Sequence, residues 1–217
     1  MEVKARFSVA IIVLLTWLAV QAQDPLRFEK EVQTLTATDA SVNRKELILF
    51  TGSSSIRLWP NLAQSFPKHN VLNRGFGGSE MQDLYYYRRA LILNYKPKQI
   101  FIYEGDNDLN AGKTPDQILA TADSLLIAIR KELPKTKIIF IAAKPSEARW
   151  HLKDKYLAFN SKLKEWTKSR KGVYFADVWT PMVDANGIML PDLLMDDNLH
   201  MTEKGYVIWT TVLSRFL

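Results

Sequence analysis

Leu47-Ile48-Leu49-Phe50-Thr51-Gly52-Ser53-Ser54-Ser55-Ile56-Arg57-Leu58-Trp59 is the stretch on which the reading of the fold turns. An apolar run of strand length stops at a glycine and three serines, and a helix-compatible apolar spacing follows. A strand that ends in such a turn and continues as a helix leaves a hydroxyl at the carboxyl edge of a sheet. Open α/β sheets bind their ligands at that edge. Read alone, the turn is a helix cap, because serine is a favoured N-cap residue. The decision rests on whether other parts of the chain bring partners for a hydroxyl.

Outward from this stretch, strand and helix patterns alternate. Residues 25–40 have the spacing of an amphipathic helix lying over the sheet. Residues 47–51, 70–73, 99–103, 137–143 and 172–178 are short apolar runs of strand type. Residues 81–93, 154–170 and 202–216 have helical spacing, the last expected to be capped by Thr202 and Glu203. A further helix starts at Thr114-Pro115-Asp116, where a Thr cap, a first-turn proline and an acid at the positive helix end coincide, and runs to about residue 133 before Pro134. Five short strands alternating with helices predict an α/β fold, a three-layer αβα sandwich around a five-stranded parallel sheet. Several strand tips land on Gly, Ser, Asn and Asp, which points to one shared site.

Composition narrows the chemistry. The chain has 217 residues, 47% hydrophobic and 24% charged, which suits one globular α/β domain. It contains no cysteine, so disulfides, thiolate metal sites and a cysteine nucleophile are excluded. Lys4 and Arg6 precede an apolar run over residues 7–20, and Val20-Gln21-Ala22 resembles a small-residue cleavage site. We therefore expect a signal peptide over residues 1–22, a mature domain over 23–217 and a secreted or periplasmic location. The run is short for a membrane span, and no cysteine follows it to carry a lipid, so no stable membrane anchor is expected after cleavage. Loss of Lys4, Arg6 and Glu2 takes the formal charge from +6 to +5. That surplus is dispersed, with no aromatic-interleaved basic stripe, and nucleic-acid binding is not expected.

A serine becomes a nucleophile only when a neighbouring base takes its proton, so the histidines come next. His69 reads as a surface loop residue, and His151 stands at the start of a helix. Only His200 has an aspartate, Asp197, three residues earlier on a stretch that reads as a loop. A loop lets the Asp197 carboxylate fold back onto His200 Nδ1 and fix the tautomer whose Nε2 accepts a serine proton. Acyl transfer also needs donors for the oxyanion of its transition state. Gly78, where the backbone can approach a ligand closely, and Asn107, with its side-chain amide, lie on strand tips between the serine and the histidine. Taken separately, Gly77-Gly78 is a turn and Asn107 a loop stabiliser.

Taken together, four blocks resemble those of the SGNH, or GDSL-type, hydrolases. They are Gly52-Ser53-Ser54-Ser55-Ile56, Asn73-Arg74-Gly75-Phe76-Gly77-Gly78, Gly105-Asp106-Asn107-Asp108 and Asp197-Asn198-Leu199-His200. The form Gly-Ser-Ser-Ser-Ile-Arg-Leu-Trp is similar to a branch that includes secreted bacterial acylhydrolases and relatives of platelet-activating-factor acetylhydrolase. The resemblance implies a flavodoxin-like αβα sandwich, no cofactor and no metal. By position it implies Ser54 as nucleophile, His200 as base, Asp197 as the acid that orients it, and an oxyanion hole of the Ser54 and Gly78 N–H groups and the Asn107 side chain. Ser53 stands where the family has an aspartate, so the choice among Ser53, Ser54 and Ser55 rests on register with the family.

Two other motifs are excluded. The elbow Gly-x-Ser-x-Gly of α/β-hydrolases is absent, since Ile56 lies two residues after Ser54. Residues 106–117 begin like a calcium loop, but Ala111 takes the glycine position and Gln117 the final glutamate position. The aromatic residues Trp59, Tyr85 and Tyr86 are expected in the core rather than in a pocket. Arg149 and Trp150, just beyond a strand tip, are the candidates for a substrate-binding wall. The functional expectation is an esterase acting on short acyl groups of glycans or small molecules. The alternatives are a lipase or lysophospholipase and a non-catalytic binding domain on the same fold.

Overall fold

The computed structural model describes residues 24–217, so the expected signal peptide lies outside the described residues. Five strands, β1 (Ile48–Gly52), β2 (Val71–Gly75), β3 (Gln99–Tyr103), β4 (Lys137–Ile141) and β5 (Val173–Ala176), form one sheet. Its order is β2-β1-β3-β4-β5. Every neighbouring pair is parallel, with Gly52 level with both Gly75 and Tyr103. This is the doubly wound order whose switch point falls between β1 and β3.

The central strands are buried on both faces, and alternate residues feed two separate cores. Leu49, Ile100, Ile102, Ile138 and Phe140 point to one side, where they meet α1 (Glu29–Thr36), α4 (Met81–Leu91), α6 (Pro115–Glu132) and α7 (Lys153–Lys168). Ile48, Phe50, Phe101, Tyr103 and Ile139 point to the other, beneath α2 (Ser54–Arg57), α3 (Leu62–Ser65) and α8 (Glu203–Leu213). A last short helix, α5 (Asp106–Asn110), follows β3 directly. The second core is unusually aromatic. The Phe50 ring stacks on Phe101 at 4.4 Å and on Phe66 at 5.4 Å, and Trp59 stacks on Tyr206 at 4.9 Å. Cutting Phe50 back to alanine in such a setting costs about 3–5 kcal/mol.

The expected three-layer arrangement is what the chain adopts, with local differences. Residues 25–40 do not form one helix. Pro25 opens a 3-10 turn, α1 spans only Glu29–Thr36, and a second 3-10 turn covers Asp39–Ser41. Thr114 and Pro115 start α6 as expected, and Gln117 completes a capping box by accepting from the Thr114 N–H at 2.8 Å. Thr202 does not cap α8 through its side chain, because its hydroxyl donates instead to the Asp192 carbonyl at 2.7 Å. Trp59 lies in the core as expected, whereas Tyr86 is exposed.

Candidate active site

The tips of β1 and β3 face each other across the switch point. Gly52 ends β1 with φ +116, and a Cβ there would sit 2.1 Å from the Tyr103 carbonyl oxygen, so no other residue fits without moving the sheet. The close approach lets the Ser53 N–H bond the Tyr103 carbonyl at 3.0 Å. Ser54 then becomes the first residue of α2, and its N–H is one of those a helix start leaves without an intrahelical partner.

The loop before α8 brings the other groups. Asp197 Oδ1 accepts from the Leu199 and His200 N–H groups, each at 2.9 Å, which folds the four residues into a tight turn. Asn198 takes a left-handed conformation within it, φ 55. Asp197 Oδ2 lies 2.5 Å from His200 Nδ1, and His200 Nε2 lies 2.9 Å from Ser54 Oγ. Burial pushes the Asp197 carboxyl up, but bonds from the His200 ring and from the His200 and Leu199 N–H groups outweigh it and lower it to about 2. The carboxylate is thus ionised wherever the imidazole works as a base. Lys144, fully buried, donates from Nζ to the Leu199 carbonyl at 2.5 Å and ties this loop to the end of β4.

On the other side, α5 presents Asn107. Its amide nitrogen donates to the Ser79 carbonyl at 2.9 Å and to Ser53 Oγ at 2.7 Å. Its carbonyl oxygen accepts from Arg149 Nη2 at 2.9 Å. Arg149 Nη1 pairs with Asp106 at 2.5 Å, and Asp106 also accepts from Tyr103 and Tyr156. Burial raises Asp106, yet the Lys144 and Arg149 charges and the two hydroxyls bring it below the usual aspartate value. Glu104 moves the other way. Burial, with Asp108, Asp83 and Glu80 nearby, pushes it well above its usual value against a hydrogen bond from Ser79 Oγ at 2.7 Å.

Ser54, Gly78, Asn107, Arg149 and His200 all line one open cleft of about 690 Å³. Gly78 has φ +70 and nothing within 4 Å of where a Cβ would stand, so its backbone is turned in a left-handed bend at the cleft wall. His69 and His151 are exposed and lie away from the cleft. Trp150 does not line it, which corrects the expectation of a paired Arg149-Trp150 wall. The Trp150 ring stacks on Trp179 at 6.3 Å, with Lys153 over it. Arg149 does reach the cleft, but its guanidinium is taken up by Asp106 and Asn107. Asp106 and Asp108, at the start of the rejected calcium-loop match, lie on α5 with separate partners. Asp108 accepts from the Met81 N–H and from Lys113, each at 3.0 Å. Among the described residues no cluster of three or more His, Asp or Glu is arranged to hold a metal ion.

Sequence reading missed the contribution of α1. Glu31, Thr34 and Leu35 form part of the cleft wall, and Glu31 Oε1 accepts from the Gly77 N–H at 2.9 Å. Arg57 lies 3.6 Å from the same carboxylate. Helical spacing marks α1 as amphipathic, but nothing in it tells which face meets a cleft.

The arrangement holds a hydroxyl against an imidazole whose far nitrogen is carboxylate-bound, with an amide donor nearby. Such a set can perform acyl transfer. Comparison with known proteins agrees. The profile of the GDSL-like Lipase/Acylhydrolase family matches residues 49–208. A search of curated proteins finds no match. Among solved structures, a Streptococcus pneumoniae protein described provisionally as a platelet activating factor superposes with TM-score 0.79 at 22% identity, covering 88% of this chain and 93% of that one. A GDSL-like lipase from Bacteroides thetaiotaomicron gives 0.71 at 20% identity, covering 89% and 96%. A variant of an acetyl-xylooligosaccharide esterase from Geobacillus gives 0.65 at 18% identity, covering 80% and 94%. These likenesses are of fold, and the family match spans most of the chain. The chain belongs to the GDSL-like lipase/acylhydrolase family and is a hydrolase that acts on ester bonds.

Proposed function

We propose that the protein is an exported serine esterase that removes short acyl groups, such as acetyl, from glycans or other small polar alcohols through an acyl-enzyme on Ser54. The observation that carries this reading is the chain Ser54 Oγ–His200 Nε2 at 2.9 Å and His200 Nδ1–Asp197 Oδ2 at 2.5 Å. His200 takes the Ser54 proton as Oγ attacks the ester carbonyl. The oxyanion is received by the Ser54 and Gly78 N–H groups and by Asn107 Nδ2, which turns from the Ser53 hydroxyl towards the new charge. His200 passes its proton to the leaving alcohol oxygen. Water, activated by the same ring, then releases the acid and restores Ser54.

The lining of the cleft supports this substrate class. Glu31 and Arg57 line the cleft, and among the described residues Leu35 and Leu199 are the only large aliphatic side chains on its wall. A long acyl chain gains about 0.8 kcal/mol for each methylene it buries, and two leucines bury few. Hydroxyl-rich alcohols suit a carboxylate and a guanidinium on that wall. The acetyl-xylooligosaccharide esterase among the structural neighbours is consistent with this preference. The basic, apolar and small-residue run over residues 1–22 is the basis for proposing export.

The test is a panel of esters with rapid-mixing kinetics. Nitrophenyl acetate should release a burst of about one nitrophenol per chain, and acetylated xylo-oligosaccharides should turn over faster than lysophospholipids. A linear time course without a burst speaks against accumulation of an acyl-enzyme, and a preference for lysophospholipid overturns the substrate class. Export is tested by N-terminal sequencing of the full chain recovered from outside the cytoplasm, where processing is expected to leave Gln23 first.

A further inference from the structure

We propose that Arg149 is a positioning residue that fixes the orientation of the Asn107 amide and acts through that amide rather than on the substrate. The inference rests on Asn107 serving as an oxyanion donor in the esterase reading above. An asparagine amide can sit in two orientations related by a flip, and only one presents N–H to the reacting centre. A guanidinium has donors and no acceptor, so Arg149 Nη2, 2.9 Å away, demands the Asn107 oxygen. The Ser79 carbonyl has acceptors and no donor, so at 2.9 Å it demands the nitrogen. A flipped amide would set NH2 against the guanidinium and oxygen against the Ser79 carbonyl. Both mismatches would be in partly buried positions, where an unmet polar group costs about 1–3 kcal/mol.

Arg149 is itself immobilised. Its side chain is 13% exposed, and its second fork nitrogen is paired at 2.5 Å with buried Asp106, which Tyr103 and Tyr156 also hold. Nη1 and Nη2 are each engaged on a protein acceptor, so the fork is held in place where it borders the cleft. Asp106 stands directly before Asn107 on α5, so one arginine fork grips two successive residues, one by charge and one by amide orientation. Lysine is a point charge and cannot serve both acceptors with the same planar fork.

A double-mutant cycle with Asn107→Ala and Arg149→Lys tests the assignment. Arg149→Lys keeps a positive charge opposite Asp106, and its fold is checked by circular dichroism and melting temperature. Acting through Asn107, it should lower kcat about tenfold, leave KM within about twofold, and do so equally for nitrophenyl acetate and acetylated xylo-oligosaccharide. In the Asn107→Ala background the same substitution should lower kcat less than about twofold. Additive losses, a loss confined to KM, an effect that differs between the two esters, or no effect would each overturn the proposal. Should Arg149→Lys unfold, Arg149→Gln, whose own amide can flip and so no longer demands the Asn107 oxygen, is carried through the same cycle with the same pattern expected, a fall in kcat in the parent that shrinks to less than about twofold in the Asn107→Ala background. A larger loss that persists in the Asn107→Ala background again overturns it. Failure here leaves the parent's burst on nitrophenyl acetate untouched, so it is separable from failure of the esterase reading.

Discussion

Ser54 Oγ and His200 Nε2, 146 residues apart in the chain, lie 2.9 Å apart at the edge of the sheet. The glycine at the end of β1 and the tight Asp197–His200 turn each fix one partner, so the contact is made by backbone geometry at both ends. Ser53 and Ser55 are not so placed. Ser53 Oγ is buried against Asn107, and Ser55 is buried with its carbonyl bonded by the Tyr206 hydroxyl at 3.0 Å.

The three serines should therefore differ sharply on mutation. Ser54→Ala should abolish turnover of nitrophenyl acetate, while Ser53→Ala retains activity within about tenfold, because it removes only a resting acceptor of the Asn107 amide. Steady-state rates of the two folded variants decide the matter. Equal losses would place the nucleophile wrongly.

Asn107→Ala should lower kcat by roughly 10²–10³ with little change in KM, the signature of an interaction made in the transition state. Its circular dichroism spectrum should match the parent's. A rise in KM at constant kcat would make Asn107 a substrate-binding residue instead.

Asp197 gives a test in acid. Its folded value is depressed to about 2 from an ordinary 3.8, so its stabilising contribution is complete above about pH 4 and is lost as pH falls through about 2. The melting-temperature gap between parent and Asp197→Asn should be constant above pH 5 and close between about pH 4 and 2. At neutral pH the same substitution should lower kcat by about 10³–10⁴, since the ring loses the acceptor that fixes its tautomer.

Glu104 should show the opposite sign. Its folded value is raised well above 4.5, chiefly by burial, so the native state keeps a proton that the unfolded chain gives up. Stability is complete below about pH 4 and declines as pH rises towards the folded value. Glu104→Gln does not titrate, and its melting temperature should gain on the parent's as pH goes from 5 to 8. A gap that stays constant over that range would mean that Glu104 is ionised in the fold.

The sheet was legible because β1, β3 and β4 are continuous apolar runs, the pattern that burial on both faces requires. Helix α6 was legible at its start because Thr114, Pro115 and Asp116 act locally. Helix α5 was not, since Asp106-Asn107-Asp108 has the composition of a turn. It is helical because Tyr103, Tyr156, Arg149, Lys113 and Met81, remote in sequence or on other elements, satisfy those two carboxylates. The grouping of Ser54, Gly78, Asn107, Asp197 and His200 was readable from four ordered blocks, but not from any block alone. Arg149 was noticed as a wall residue, but not for its contact with Asn107. A side chain beyond β4 shows nothing in its own neighbourhood of an asparagine 42 residues earlier. Glu31 carried no signal, because a carboxylate on an amphipathic helix is ordinarily solvated.

The esterase chemistry depends first on Ser54 as the nucleophile. A fluorophosphonate probe reacts only with a serine activated by a base, and peptide mapping by mass spectrometry locates the adduct. One adduct per chain is expected, on the peptide that carries Ser54, and none in His200→Ala. An adduct on Ser53 or Ser55, or no adduct on a folded and active protein, would contradict that role.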